Sequence, residues 1–173
     1  IKHCMAIPSG TDIYIVSDLH LGEGWSEARQ RYSRLEMFFY DRTFHEFTSH
    51  ILSRASQRDA TATLVLNGDV FDFLSVVGTP EGKSLDSQFG RAAKHFGLGT
   101  TETESAWKMR RILAGHREWV QALAELALAG HYIVLIRGNH DAELHWPTVQ
   151  EEFINTVAEC VSEPHRSDVR QRI

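Results

Sequence analysis

The sequence predicts an α/β fold built on a parallel sheet, and three observations carry the prediction. Three short apolar runs rich in β-branched residues, Ile13-Tyr14-Ile15-Val16, Thr63-Leu64-Val65-Leu66 and Ile133-Val134-Leu135-Ile136, read as strands covered on both faces. Stretches with helical patterning separate them, and right-handed crossovers between such units set the strands parallel. Each run then stops at a short polar motif: Asp18-Leu19-His20 after the first, Gly68-Asp69-Val70-Phe71-Asp72 after the second, Gly138-Asn139-His140-Asp141 after the third. All three motifs therefore leave the sheet at its carboxyl edge, where open α/β sheets bind ligands.

The connecting elements follow in order. Leu35, Phe38, Phe39, Phe47, Ile51 and Leu52 suit an amphipathic helical region from Ser26 to about Arg58, broken around Asp41 to Thr43. Residues 77–100 are punctuated by glycines and read as an irregular insertion able to reach over the second motif. From Thr103 to Ala129, Ile112, Trp119, Val120, Leu123, Leu126 and Ala127 fall at helical spacing, with Gly130 placed to end the helix. Thr148-x-x-Glu151 looks like a capping box that opens a last helix through about Glu159. No internal repeat or linker divides the chain, so residues 1–173 read as one domain.

Composition bounds the function. A chain of 173 residues, 42% hydrophobic and 24% charged, can bury one sizeable core. A formal net charge of −5 without an evident Lys/Arg cluster disfavours nucleic acid as a partner. A phosphate substrate stays compatible with that balance, because bound cations reverse the local field. No apolar segment is long enough to span a bilayer, and Ile1-Lys2-His3-Cys4 does not open a signal peptide. Cys4 and Cys160 are far apart and lack Cys-x-x-Cys spacing, which favours thiols in a reducing compartment and a cytoplasmic location, peripheral contact with a membrane being left open.

The motifs combine the donors of a metal site. Asp18 and His20 are two apart, so at an extended strand end they share a face and could grip one ion. Asp69 follows a glycine that lets the chain turn sharply, and its carboxylate can bridge two cations. Asn139 offers an amide oxygen and His140 an imidazole. Mixed carboxylate, imidazole and amide ligation suits Mn²⁺, Fe or Zn²⁺, and two such ions about 3.5–4 Å apart can clamp the oxygens of an in-line displacement at phosphorus. Taken singly, each motif is explained by turn chemistry. Their recurrence after three separate strands makes coincidence the weaker explanation.

Ser17-Asp18-Leu19-His20, Asn67-Gly68-Asp69-Val70-Phe71-Asp72 and Arg137-Gly138-Asn139-His140-Asp141 resemble the first three signatures of the calcineurin-like metallophosphoesterases. The resemblance implies a two-sheet sandwich flanked by helices, of which this chain would supply the first, largely parallel half. It implies two divalent ions, Mn²⁺ foremost and Fe or Zn²⁺ as alternatives. Asp18 and His20 would hold the first ion, Asp69 would bridge both and Asn139 would hold the second. Asn139 and His140 would contact the phosphate, with His140 protonating the leaving oxygen and Asp72 accepting a hydrogen bond from it. Asp72 has a plainer alternative, as a cap of its turn or of the following helix.

The family completes its site with histidines on the second half of the fold, including a Gly-His-x-His element that these residues lack. The chain is therefore expected to be the N-terminal portion of a longer protein. His145 and His165 have no such context and read as surface or helix-flanking residues, and His45, His50, His95, His116 and His131 read as structural or exposed. The activity implied is hydrolysis of a phosphate ester or anhydride by a hydroxide bridging two ions, in a small-molecule or lipid-linked substrate. Phe73 stands where the phosphoprotein phosphatase branch carries arginine, which disfavours a protein phosphatase. Asp69 to Phe73 is more similar to the UDP-diacylglucosamine pyrophosphohydrolases of lipid A synthesis, although a branch of those enzymes has arginine in the place of His140. A scaffold or binding protein that keeps the fold without catalysis is the alternative of another class. For Trp25 and the cluster Phe38, Phe39, Tyr40, Phe44 and Phe47, core packing is preferred to an apolar or lipid-facing pocket.

Overall fold

A computed structural model describes residues 11–79 and 97–173. Its elements are β1 (Asp12–Val16), β2 (Trp25–Ser26), β3 (Arg31–Tyr32), α1 (Asp41–Arg58), β4 (Ala62–Asn67), α2 (Glu102–Gly115), α3 (Arg117–Leu128), β5 (Tyr132–Ile136), α4 (Pro147–Glu159) and α5 (Arg166–Arg170). Short 3₁₀ turns precede α4 and α5. Most of the expected insertion, residues 80–96, lies outside the described residues, as do Cys4 and His95.

The three expected strands form one parallel sheet in the order β1-β4-β5. Val16 sits beside Leu66 and Leu66 beside Leu135, so the strands end nearly level and all three motifs emerge together. β4 is central and buried from Ala62 to Leu66. The outer strands depart from the expected double burial: Ile13 and Ile15 on β1 are 51% and 64% exposed, and Ile136 on β5 is exposed too. A strand alternates its side chains, so only the face carrying Tyr14, Leu64 and Ile133 meets the helical layer. Tyr14 stacks edge-on against Phe47 of α1. The sheet is thus an amphipathic layer at its margins and a fully buried one only at its centre.

Helices arise largely where the periodicity places them, with three corrections. The region from Ser26 is helical only from Asp41; before that, the chain forms the β2–β3 hairpin and an extended segment. Asp41 in the first turn favours the helix dipole, and Asp59 in the left-handed region closes α1. The second helical stretch is two helices divided at His116, because Gly115 lies against the backbone of Glu23 and Gly24: a Cβ added there would fall 1.9 Å from the Glu23 carbonyl oxygen. α3 does end just before Gly130, which adopts φ 93°. α4 starts as expected but without a capping box. Pro147 occupies the first turn, a position where the missing N–H costs nothing, and the Thr148 hydroxyl donates to Glu102 instead. The capping box is Thr101 with Glu104, at the start of α2.

The core lies between the sheet and α1 to α4. Phe71, Trp119 and Phe153 meet in it as mutually tilted or edge-on rings with centroids 5.7–6.4 Å apart. Of the cluster near α1, Phe38 and Phe44 are buried and Phe39 and Tyr40 exposed, so core packing accounts for part of it. No helix among the described residues is long and apolar enough to cross a membrane. Cys160 is a free thiol.

Candidate metal centre

Beyond the strand ends, backbone hydrogen bonds continue to zip the three loops together. Asp18 N–H donates to Gly68 O, His20 N–H to Asp69 O, Leu21 N–H to Val70 O, and Gly68 N–H to Ile136 O. A parallel bridge joins Leu21 to Phe71. The motifs are therefore a continuation of the sheet rather than free loops.

Three of the expected ligands pay for this in backbone conformation. Asp18, His20 and Asp69 adopt φ of 55°, 53° and 50°, in the left-handed region that side chains other than glycine rarely enter. Such a residue costs on the order of 1 kcal/mol or more, and such strain gathers at functional sites. It also corrects the expected geometry. Asp18 and His20 are not at an extended strand end; both sit past Val16, and paired left-handed residues flanking Leu19 bring their side chains together. Ligand atoms of Asp18, His20 and Asp69 lie within 4.8 Å of one another.

The third motif is fastened to the second by backbone donors. Asp69 Oδ1 accepts from Asn139 N–H at 2.8 Å and from His140 N–H at 2.9 Å. The His140 backbone donor, then that of Asn139 and the nearby imidazoles of His140 and His20, hold the Asp69 carboxyl below its ordinary value despite some desolvation. It is thus an anion whose Oδ1 is occupied and whose Oδ2 takes no hydrogen bond among the described residues. This approach needs glycine at 138. A Cβ there would fall 2.2 Å from Asp69 Oδ1 and 2.4 Å from its nitrogen, so close approach rather than a left-handed turn explains Gly138, whereas Gly68 turns at φ 78°.

His140 and Asp72 occupy the other side. The imidazole of His140 stands edge-on to that of His20, centroids 4.7 Å apart, and its buried Nδ1 lies 3.6 Å from Asp72 Oδ1 without a hydrogen bond. Asp72 Oδ1 accepts instead from the N–H groups of Leu74 at 3.0 Å and Ser75 at 3.3 Å. Asp72 therefore caps its turn and faces His140 at once. Ligand atoms of His20, Asp72 and His140 also lie within 4.8 Å of one another, so His20 belongs to two groupings that meet. Asn139 is anchored through its backbone, and its exposed amide makes no hydrogen bond among the described residues.

Two carboxylates and an imidazole could hold a divalent cation. The groupings offer three donors to one cation, Asp18, His20 and Asp69, and fewer to a second.

Sequence reasoning named Asp141 without giving it a role, and it assigned none to Glu36. Asp141 is fully buried and accepts from Gly138, Val70 and Phe71 N–H, locking motif three to motif two. Glu36 is buried and accepts from the backbone of Gly22, Gly24, Met37 and Phe38, holding the loop that follows His20. Behind it, the fully buried His116 lies 3.4 Å from Glu36 and 3.0 Å from Asp41. A carboxylate two to four residues past a glycine-rich loop is the signal that could have exposed Asp141, and none marks Glu36. His45 pairs with Glu118 and Glu125, His131 is buried, and His145 and His165 are exposed and belong to neither grouping.

No protein-family model matches this chain, and no curated protein or solved structure matches it either.

Proposed function

We propose that the protein is a metal-dependent phosphoesterase, hydrolysing a phosphate ester or anhydride, with a calcineurin-like two-sheet architecture of which these residues form the first half. The observation that carries the reading is the convergence of Asp18, His20 and Asp69, all in strained left-handed conformations, beside His140 and Asp72 at the carboxyl edge of a parallel sheet. The apolar outer face of Ile13, Ile15 and Ile136 suits a sheet that a second layer covers.

When bound, divalent cations, Mn²⁺ first among them, supply Lewis acidity towards the phosphoryl oxygens and a nucleophile at neutral pH. The chain's own residues do the rest. Asp18, His20 and Asp69 fix the cations, and Asn139 joins them through its amide. His140 holds a proton on its ring and passes it to the leaving oxygen. Asp72, with Oδ1 3.6 Å from Nδ1, faces that ring.

The test is Mn²⁺ titration by calorimetry alongside hydrolysis of mono-aryl and bis-aryl phosphates, with and without chelator. Saturable Mn²⁺ binding that Asp18→Asn and Asp69→Asn each weaken at least tenfold, with turnover abolished by chelator, supports the reading. Absence of specific Mn²⁺, Fe or Zn²⁺ binding overturns it and leaves a scaffold protein that keeps the fold.

A further inference from the structure

Away from the metal groupings, the β2–β3 hairpin, the segments before and after it, residues 77–79 and α2 line an open cavity of about 630 Å³. That volume falls within the usual range for a small-molecule site. Four arginines are among the residues that line it: the exposed Arg29, Arg31 and Arg34 from the hairpin region and Arg111 from α2. The sequence offered Arg29-Gln30-Arg31-Tyr32-Ser33-Arg34 in plain view, and the expectation of no basic cluster is corrected here. In a chain of net charge −5, these cations do not reflect a generally basic surface.

Their pairing is lopsided. Glu23 is the acidic residue in the wall, and its buried carboxylate is already engaged, accepting from Gly78 N–H and lying 3.7 Å from Arg111. Glu27, at the hairpin turn, accepts from the Gln30 side chain. Among the described residues, no side-chain ion pair or hydrogen bond occupies Arg29, Arg31 or Arg34. Three arginines at one concavity, without an ion-pair partner among the described residues, suit the oxygens of phosphate or carboxylate groups, which guanidinium binds in a two-pronged way. The remaining wall is partly aromatic. Trp107 stands four residues from Arg111, on the same face of α2, and Tyr32 is also in the wall.

Position ties the cavity to the candidate metal centre. Gly24, in its wall, is four residues after His20, so the two lie no more than about 14 Å apart along even a fully extended chain. Val77 and Gly78, also in the wall, follow closely on Asp72.

We propose that this cavity binds a small organic anion carrying at least two negative charges next to a flat ring, and that it holds the part of the substrate remote from the phosphorus under attack. The second clause rests on the phosphoesterase reading; the binding site itself does not. Long polyanions and anionic membranes are disfavoured by the size of the cavity and by the acidic balance of the whole chain.

The test uses the chain in excess chelator, so that the metal centre plays no part. ADP, inorganic pyrophosphate and adenosine are titrated while calorimetry and tryptophan fluorescence are recorded. ADP should bind at least tenfold more tightly than adenosine and weaken as salt rises. Arg31→Gln/Arg34→Gln should lose at least tenfold in affinity for both phosphates, and Arg31→Lys/Arg34→Lys should recover part of it. Both sites are exposed, so the far-UV spectrum should not change. Trp107→Phe should abolish the fluorescence response while calorimetry still reports binding. No saturable binding of ADP or pyrophosphate overturns the proposal, as does binding that the double glutamine variant leaves intact. Binding to phosphatidylglycerol vesicles without binding to ADP overturns it equally. Mn²⁺-dependent hydrolysis of a mono-aryl phosphate, measured separately, reports on the metal centre alone, so the two readings fail independently.

Discussion

The carboxylate of Asp141 accepts a hydrogen bond from the backbone N–H of Val70 at 2.9 Å, joining two loops that are 71 residues apart in sequence. Its other oxygen accepts from Gly138 N–H at 2.6 Å, and Phe71 N–H approaches at 3.4 Å. Val70 and Phe71 are buried with Asp141, so their two donors have little access to water if the carboxylate is removed, whereas that of Gly138 is only partly buried. Each orphaned buried N–H costs roughly 1–3 kcal/mol. Asp141→Ala should therefore destabilise the protein by about 3 kcal/mol or more, and Asp141→Asn, which keeps one acceptor oxygen, by clearly less. Urea unfolding midpoints measure both. An alanine variant as stable as the parent would show that the loops are held by something else.

Gly138 is the second point of contact between those loops. A Cβ there meets the Asp69 nitrogen and Oδ1, both within 2.4 Å, and neither is the free end of a flexible chain, since Oδ1 is held by two N–H donors. Gly138→Ala should cost on the order of 2–3 kcal/mol, as overpacking does, and should displace Asp69. Mn²⁺ affinity should fall more than stability alone explains, which calorimetry at a temperature well below unfolding would show. Unchanged affinity would remove Gly138 from the account of the site.

Much of this was legible in sequence because it was periodic or punctuated. The strands declare themselves as runs of Ile, Val and Leu, and the motifs declare themselves by following them. Ile13 and Ile15 misled, since an apolar run reads alike whether one face or two are covered, and only packing decides. The break at His116 was invisible for a related reason: helical spacing runs straight through Gly115, and what stops the helix is the distant Glu23–Gly24 backbone lying against it. Asp18 and His20 were found by residue type, yet the left-handed backbone that brings them together has no marker in residues that are not glycine.

The buried pair of Glu36 and His116 makes stability depend on pH. Burial alone would lower the His116 pKa, but the carboxylates of Asp41 and Glu36 outweigh it and push it up from 6.5 to about 9. A histidine whose folded value is raised contributes stability that is complete below about 6.5 and lost as pH climbs through about 9. Glu36 works in the opposite sense. Burial raises its pKa, but His116 and the backbone donors bring it below 4.5, so its contribution is complete above that value and lost on acidification below it. Stability should peak between those limits and fall by roughly 3 kcal/mol from pH 6 to pH 9.5. Denaturant titrations across that range would measure it. His116→Gln should flatten the alkaline limb, and an unchanged limb would assign the loss to other groups.

His140 separates two roles that the geometry permits. Its ring faces Asp72 at 3.6 Å, as a proton donor to a leaving group would, yet it also stands within ligating distance of His20 and Asp72. On the proton-donor reading, His140→Ala leaves Mn²⁺ stoichiometry intact and lowers kcat by about 10²–10⁴-fold, the usual contribution of a positioned acid. The loss should be smaller for an aryl phosphate with an acidic phenol, because such a leaving group needs little protonation. Asp72→Asn should lower kcat more modestly, since Asp72 faces the ring at 3.6 Å without a hydrogen bond to it. Metal analysis of the His140→Ala variant decides the matter. Loss of an ion would make His140 a ligand shared with His20, and the proton to the leaving oxygen would then have to come from solvent.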